Sequence, residues 1–244
     1  WYTTTDITNV FFSIPLAAES RPQFPFTWRG IQYMWNRLSQ GWKQSPTICH
    51  GLIQAALEKG EALEHLQHFN DIIVWGNMAE KVFEKGEKRT QILLKVGFTI
   101  KESKVKGPAQ EIQFLGIKWQ DRHHQIPMDV INRIAATSPP PSKKETQTFL
   151  GVVGFWRMHI PDHSLIVSPL YQVTRKKNDF KWDPEQQQAF EQIKQEIIHA
   201  VALGPVRAGK DLKNVLYTAA GENGPTWSLW QKAPGETQRQ PLGF

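Results

Sequence analysis

The stretch that most constrains the fold is residues 64–76, where a short polar tip separates two apolar segments. Leu66 precedes the tip Asn70–Asp71, and the apolar run Ile72–Trp75 follows it. Asn and Asp tolerate the backbone of a tight turn, and β-branched residues favour strands. The pattern predicts a β-hairpin whose turn lifts the carboxylate of Asp71 out of a buried sheet. Taken alone, it fits an ordinary surface turn better.

A second carboxylate has a similar setting near the start of the sequence. Asp6 belongs to Thr3–Leu16, where β-branched and aromatic residues predict a strand followed by a turn. Two strand-borne carboxylates side by side would make a site for Mg²⁺, which usually takes one or two carboxylates together with substrate phosphates. We therefore expect Asp6 and Asp71 to share one metal site.

The charge of the chain is compatible with a nucleic-acid partner but does not require one. The 29 Lys and Arg exceed the 23 Asp and Glu, which gives a formal net charge of +6. The segment from Lys81 to Lys106 contains eight basic and three acidic residues. Apolar spacing over 78–96 predicts an amphipathic helix there. A solvated helix face explains this local excess as well as a phosphate contact does.

Cysteine content and hydropathy exclude two further classes. The single Cys49 excludes an internal disulfide framework and fits a reducing, intracellular compartment. No apolar run approaches the roughly 20 residues of a membrane span, and no signal peptide opens the sequence. Because the first residue is Trp1 rather than Met, we expect the chain to be part of a longer protein.

Local patterns elsewhere predict a mixture of strands and helices. Residues 23–35 alternate around Arg29–Gly30, which predicts a hairpin. Ser45 is the predicted N-cap of a helix, because Pro46 suits the first helical position. The later predicted elements are a strand over 111–119 with Gln125–Pro127 as its possible partner, a boundary at Pro139–Pro141, a helix over 143–156 opened by a Ser142 capping box, a helix over 163–175, a helix from Asp183 to about Leu203, and strands over 212–217 and 226–231.

In this order, the two carboxylate segments resemble the retroviral reverse transcriptases. The segment around Asp6 is similar to the first palm motif of the family. The hairpin is similar to its Tyr-x-Asp-Asp box, with a Trp-Gly just downstream. His68 takes the Tyr place and Phe69 the variable place. Asn70 takes the place of the first Asp, and Asp71 that of the second.

The resemblance implies substrate roles for further residues. Phe11 matches the aromatic that lies under the incoming sugar and excludes a 2′-hydroxyl, which implies a preference for deoxynucleotides. Gln40 and Gly41 match the motif that contacts the template and the incoming nucleotide, and Phe69 is expected to contact substrate as well. Lys104 matches a Lys that assists the departing pyrophosphate.

Two later segments resemble the primer grip and the thumb of the family. Phe114, Leu115 and Gly116 match the primer grip, where Gly116 would allow close approach of the primer. Residues 149–161 are similar to a thumb segment, whose glycines either let a helix approach a duplex minor groove or let two helices pack closely.

The fold implied is α+β and has three parts. An antiparallel palm sheet with helices on one face would occupy 1–127, including the primer grip over 111–127. A helical thumb would occupy 128–205, and the start of a ribonuclease-H-like connection segment would occupy 206–244. Fingers would precede the chain, and a ribonuclease H domain would follow it. The resemblance is greatest to Pol of endogenous retroviruses of gamma or spuma-like lineages, which implies a place in the cytoplasm or in a virus-like particle.

The activity implied is RNA-directed DNA polymerisation on an RNA or DNA template–primer duplex with deoxynucleoside triphosphates. In the family, three carboxylates hold two Mg²⁺ ions that transfer a nucleotide to the primer 3′-hydroxyl. Asp6 and Asp71 would be metal ligands here, whereas Asn70 offers an amide oxygen without charge. We therefore expect impaired catalysis. The alternative is a non-catalytic remnant that binds template–primer or RNA.

Overall fold

The computed structural model describes residues 1–62, 64–207, 209–221 and 224–244. The chain divides into two compact units, Trp1–Leu115 and Gly116–Phe244. The palm, thumb and connection borders predicted after residues 127 and 205 stay predictions. Within the described part, no helix is both long and apolar enough to cross a bilayer.

The first unit is built on a four-stranded antiparallel sheet. Its elements are β1 (Tyr2–Asp6), β2 (Pro25–Trp28), β3 (Ile31–Met34), α1 (Ser45–Lys59), β4 (Leu66–His68), β5 (Asp71–Trp75), α2 (Ala79–Lys95), β6 (Val105–Ala109) and β7 (Glu111–Phe114). The strand order of the main sheet is β4-β5-β1-β6. β5 is central, and its run Ile72–Val74 is fully buried, as the continuous apolar sequence requires.

The helices of this unit pack against the sheet and enclose one core. Cys49, Ile53 and Leu57 of α1 are wholly buried in a cluster that also contains Ile72 of β5 and Leu93 of α2. Burial raises the pKa of the Cys49 thiol to about 11. The helix predicted over 78–96 is confirmed as α2, which therefore helps to close the core over the sheet.

Two apolar positions of the amphipathic segment predicted over 78–96 face solvent rather than the sheet. Val82 and Leu93 are buried, but Phe83 and Val96 are more than half exposed. Phe83 directly follows Val82, about 100° further around the helix, and so points away from the sheet. Val96 lies just beyond the last helical residue.

The start of α1 differs from the prediction by one position. The helix begins at Ser45 itself, and Gln44 is the N-cap residue without a side-chain capping bond. The buried hydroxyl of Ser45 donates instead to the carbonyl of Ser39 at 2.6 Å. Ser45 therefore ties the preceding loop to the helix rather than capping it.

The hairpin predicted around Arg29–Gly30 is confirmed. β2 and β3 pair antiparallel, with Trp28 opposite Ile31. Arg29 and Gly30 have φ angles of 50° and 78°, which two-residue hairpin turns of this kind require.

The single strand predicted over 111–119 is wrong. It is broken at Leu115 and Gly116, whose φ angles of 53° and 77° take the backbone out of the extended conformation. The predicted partner segment is confirmed in part, because Gln125 pairs with Lys118.

The second unit is mainly helical. Its elements are β8 (Ile117–Gln120), β9 (His123–Gln125), α3 (Met128–Ala135), α4 (Lys143–Phe155), α5 (His163–Thr174), α6 (Pro184–Ile198), β10 (Lys213–Gly221), β11 (Gly224–Lys232) and β12 (Gln240–Gly243). The strands β10, β11 and β12 form an antiparallel sheet in that order. Both predicted helix starts are confirmed, at the Ser142 cap and at the Asp183–Gln186 capping box.

Sequence reasoning missed α3 and placed the end of α6 too late. α3 has only eight residues, and it is held by partly buried Val130 and Ile131 and buried Ile134. α6 ends at Ile198, because Leu203 leaves the helix to exchange backbone hydrogen bonds with His124 at 2.7 and 3.0 Å.

The core of the second unit provides a test of its packing. Phe190 is fully buried, with its ring centroid 4.8 Å from that of Phe149. Phe190→Ala should lower the free energy of unfolding by about 3–5 kcal/mol, through lost burial and the cavity left behind. The measurement is urea denaturation. Phe155→Ala removes the same atoms at a 59% exposed position and should cost about 0.5 kcal/mol or less; equal losses would contradict this packing.

Candidate active site

Strand pairing brings the two predicted carboxylates together. β1 and β5 run antiparallel with Asp6 directly opposite Asp71, at the end of both strands. Beyond this pair, the backbone N–H of Ile7 donates to the carbonyl of Asn70 at 2.9 Å and continues the ladder. Opposite residues of an antiparallel pair project from the same face, with Cβ atoms roughly 4.5–5.5 Å apart. The expected side-by-side placement of Asp6 and Asp71 is therefore present.

The tip of the β4–β5 hairpin lies one residue earlier than predicted. Phe69 and Asn70 form the turn, whereas Asp71 is the first residue of β5 and pairs with His68. Phe69 has a φ of 52°, a left-handed conformation that bulky side chains rarely adopt. The centroid of its ring lies 4.5 Å from the centroid of the His68 ring. Asp71 is thus fixed by a strand rather than carried on a turn.

Both carboxylate oxygens of Asp6 accept a hydrogen bond from a neighbouring side chain. Asn70 donates from Nδ2 to Oδ1 at 2.8 Å, and Lys104 donates from Nζ to Oδ2 at 2.6 Å. Lys104 comes immediately before β6, the strand that pairs with the other edge of β1. The hydrogen bond to Asp6 and the charge of Asp6 raise the pKa of Lys104.

Asp71 has the opposite electrostatic setting. Burial, and then the negative charge of Asp6, raise the pKa of its carboxyl, while His68 and Lys104 act against this shift. The ionised form that a metal site needs is therefore disfavoured at Asp71 in the absence of a cation.

A polar pocket of about 280 Å³ opens over the two carboxylates. Buried Phe114 and half-exposed Leu115, two predicted primer-grip residues, line it beside Asp6 and Asp71. The other lining residues are Thr4, Thr5, Ser103, Lys104, Lys106 and Gln113. The pocket thus brings the predicted catalytic and primer-contacting side chains of the first unit together.

Four predicted substrate residues do not line this pocket in the part of the chain that the structure describes. Phe11 is half-buried in a short 3-10 turn against the core. Gln40 and Gly41 form an exposed turn in which Gly41 has a φ of 95°, and Phe69 lies at the exposed hairpin tip. Gly116 belongs to the second unit, and a Cβ atom added to it would meet nothing within 4 Å. Their roles stay predictions.

Sequence reasoning missed Lys106 as a pocket residue. Lys104 ends a 3-10 turn (Glu102–Lys104), Lys106 is the second residue of β6, and both line the pocket. Because the turn interrupts the alternation of a strand, no regular spacing in the sequence indicated that Lys106 joins Lys104 here.

Comparison with known proteins decides the family. Residues 1–119 match the family described as reverse transcriptase (RNA-dependent DNA polymerase). The Gag-Pol polyprotein of feline leukemia virus is 31% identical over 214 residues, which are 84% of this chain and 12% of that protein. The chain belongs to the retroviral reverse transcriptases. The Gag-Pol polyprotein of woolly monkey sarcoma virus is 30% identical over 213 residues, 83% of this chain and 13% of that protein.

Solved structures agree with this assignment of the reverse transcriptase segment. The foamy viral protease-reverse transcriptase in complex with RNA/DNA hybrid superposes with a TM-score of 0.87 at 25% identity, over 99% of this chain and 32% of that one. A second foamy viral structure, in complex with double-stranded DNA, gives a TM-score of 0.85 at 26% identity, over 99% of this chain and 42% of that one. The predicted α+β reverse transcriptase fold is confirmed, and the predicted endogenous origin stays a prediction.

The residues of this candidate site fit one divalent cation and do not fit two. Asp6 and Asp71 offer the two carboxylates that one Mg²⁺ takes together with substrate phosphates. No group of three or more His, Cys, Asp or Glu suited to a metal occurs within residues 1–62, 64–207, 209–221 and 224–244. Asn70, which the resemblance places at the position of a third carboxylate, donates an N–H to Asp6 and adds no negative charge.

The raised pKa of Asp71 predicts a pH-dependent stability. Because the ionised form is disfavoured in the folded state, Asp71→Asn should raise the free energy of unfolding at pH 7. The gain should fade as the pH falls through the pKa of Asp71, since the wild-type carboxyl then becomes neutral. The measurement is urea denaturation across that pH range.

Asp6→Asn is the matched control for this experiment. It removes the ion pair with Lys104, which at a partly exposed pair contributes up to about 1 kcal/mol, and it also removes the repulsion of Asp71. The free energy of unfolding at pH 7 should therefore rise less than with Asp71→Asn. An equal or larger rise with Asp6→Asn would contradict the asymmetry between the two carboxylates.

Proposed function

We propose that the chain is the part of an RNA-directed DNA polymerase that holds the catalytic carboxylates and the primer end, and that Asn70 impairs its nucleotidyl transfer. The observation that carries the proposal is the pairing of Asp6 with Asp71 in one pocket with Phe114 and Leu115. The chain covers only 12–13% of the two polyproteins, so the activity of the whole enzyme is part of the proposal.

The residues of the pocket would have three roles: binding the metal, positioning the primer and neutralising charge. Asp6 and Asp71 would hold one Mg²⁺, which when bound lowers the pKa of the primer 3′-hydroxyl and polarises the phosphate. Phe114 and Leu115 would position the primer end beside Asp71. Lys104, with its ammonium group in the pocket, would neutralise charge on the departing pyrophosphate.

The charge balance of the site is the reason to expect impaired catalysis. The two carboxylates of the pocket are offset by the ammonium groups of Lys104 and Lys106, which leaves no net negative charge. Two divalent cations a few ångströms apart need negative charge around them. An amide oxygen at Asn70 can ligate a cation but cannot supply that charge. Loss of the second ion would slow the chemical step more than it weakens primer binding.

A face of α4 in the second unit supports binding of a duplex. Gly151, Gly154 and Phe155 lie on one side of this helix, because residues three and four apart are neighbours. A Cβ atom added at either glycine would meet nothing within 4 Å, and Phe155 is 59% exposed. The glycines therefore do not serve close packing against another described element, and they leave room for a groove of nucleic acid.

A second candidate function is template–primer binding without catalysis. The same observation favours it, because Asn70 and Lys104 satisfy both oxygens of Asp6 without a metal ion, while the exposed face of α4 is unaffected. The two functions differ in metal-dependent primer extension, which only the first requires.

Asn70→Asp tests the polymerase proposal. In a polymerase that carries this segment together with the upstream part its relatives have, the substitution should raise Mg²⁺-dependent primer extension about 100-fold or more, since even indirect disturbance of a metal site costs about 10–100-fold. Extension is measured as single-nucleotide incorporation on an RNA/DNA template–primer. Asn36→Asp adds the same charge at an exposed position outside the pocket and should leave the rate of primer extension unchanged. Equal extension with and without Asn70→Asp would reject the proposed role of Asn70.

Gly151→Ala tests the proposed duplex contact. Alanine favours helix, so the free energy of unfolding should rise by about 0.5–1 kcal/mol, while affinity for an RNA/DNA hybrid should fall several-fold because the new methyl group occupies the open face. Fluorescence anisotropy over a salt series gives the affinity and its salt slope. Gly51→Ala, at an equally open and exposed position of α1, should raise stability without weakening the hybrid. Unchanged hybrid affinity of Gly151→Ala would exclude this face.

A further inference from the structure

Each carboxylate oxygen of Asp6 has a hydrogen-bond donor without any metal ion. Asn70 donates at 2.8 Å and Lys104 donates at 2.6 Å. The bond from Lys104 is charge-assisted and therefore the stronger kind, so a metal ion that binds Asp6 competes with it for the carboxylate.

Lys104 lies where a cation at this site would bind. Its ammonium group contacts Asp6 inside the pocket that Asp71 also lines, and it is attracted to both carboxylates. The side chain of Lys104 is 47% exposed, so it can swing from Asp6 into solvent without disturbing the core.

Asn70 strengthens this arrangement. An aspartate at position 70 would repel Asp6 and call for a bridging cation, whereas the amide of Asn70 is a hydrogen-bond donor to Asp6. The two carboxylates therefore differ: Asp6 already has an ammonium group, whereas Asp71 has no ion pair with any residue in the described part of the chain.

We propose that Lys104 acts as an internal cation of this site, which a divalent cation has to displace from Asp6 before it can bind. The inference rests on the proposed function, because it concerns the metal that polymerisation needs. A phosphate group that draws Lys104 away from Asp6 should raise the affinity of the site for the metal. By linkage, the bound metal then raises the affinity for that phosphate group by the same factor.

Mn²⁺ binding to the 244-residue chain, followed by the electron paramagnetic resonance of free Mn²⁺, tests the proposal. Lys104→Met should bind Mn²⁺ about tenfold more tightly than wild type, since a unit charge about 6 Å from a dication costs about 1.4 kcal/mol even at the dielectric constant of water. Lys104→Arg keeps the cation and should bind like wild type. Lys106→Met removes the same charge from the same pocket, without a bond to Asp6 among the described contacts, and should give a smaller gain.

The same series in the Asn70→Asp background, where the added carboxylate raises affinity for Mn²⁺, covers the case of a wild-type site too weak to titrate. Equal gains from Lys104→Met and Lys106→Met, or no binding by the Asn70→Asp, Lys104→Met double variant, would overturn the proposal. Thermal unfolding of each variant confirms that it is folded. Binding of the RNA/DNA hybrid by the same preparations tests the proposed function separately. If every variant binds the hybrid and all have equal affinities for Mn²⁺, the proposal that Lys104 is an internal cation is rejected and the proposed function is not.

Discussion

The antiparallel register of β1 and β5 is the constraint on which the site depends. Side chains alternate between the faces of a sheet, so a slip of one residue would move Asp6 and Asp71 to opposite sides. The register is held by buried residues on both strands, Thr3–Thr5 on β1 and Ile72–Val74 on β5. Packing far from any substrate thus fixes the distance between the two acids, and the same pairing brings Lys104 within reach through β6.

The carboxylates of Asp6 and Asp71 belong to one cross-strand pair but differ in what surrounds them. Asp6 has a donor on each oxygen, whereas Asp71 is disfavoured as an anion by burial and by its neighbour. A family site built for two dications needs both acids ionised and a third beside them. Asn70, in the place that the resemblance gives to this third acid, donates a hydrogen bond to Asp6 and adds no negative charge, which is the basis of the proposed impairment.

The sequence was informative where structure is local. Alternation and turn residues located the hairpins around Arg29 and Asn70, and capping residues located the starts of α4 and α6. Phe69 misled the turn prediction, because a bulky residue at positive φ is rare, and Leu115 broke an apparently continuous strand for the same reason. The contact between Lys104 and Asp6 joins residues 98 positions apart, so no local pattern contains it, and only the family resemblance placed Lys104 near the site.

The burial of Cys49 makes the chain convenient to study in solution. It is the sole cysteine of the sequence, lies on the buried face of α1, and has a pKa of about 11, so its thiol is neither accessible nor ionised at neutral pH. A cysteine introduced on the hairpin tip or on α4 is then the one thiol that maleimide or nitroxide reagents reach, and a probe can be attached there without first removing a native residue from the core.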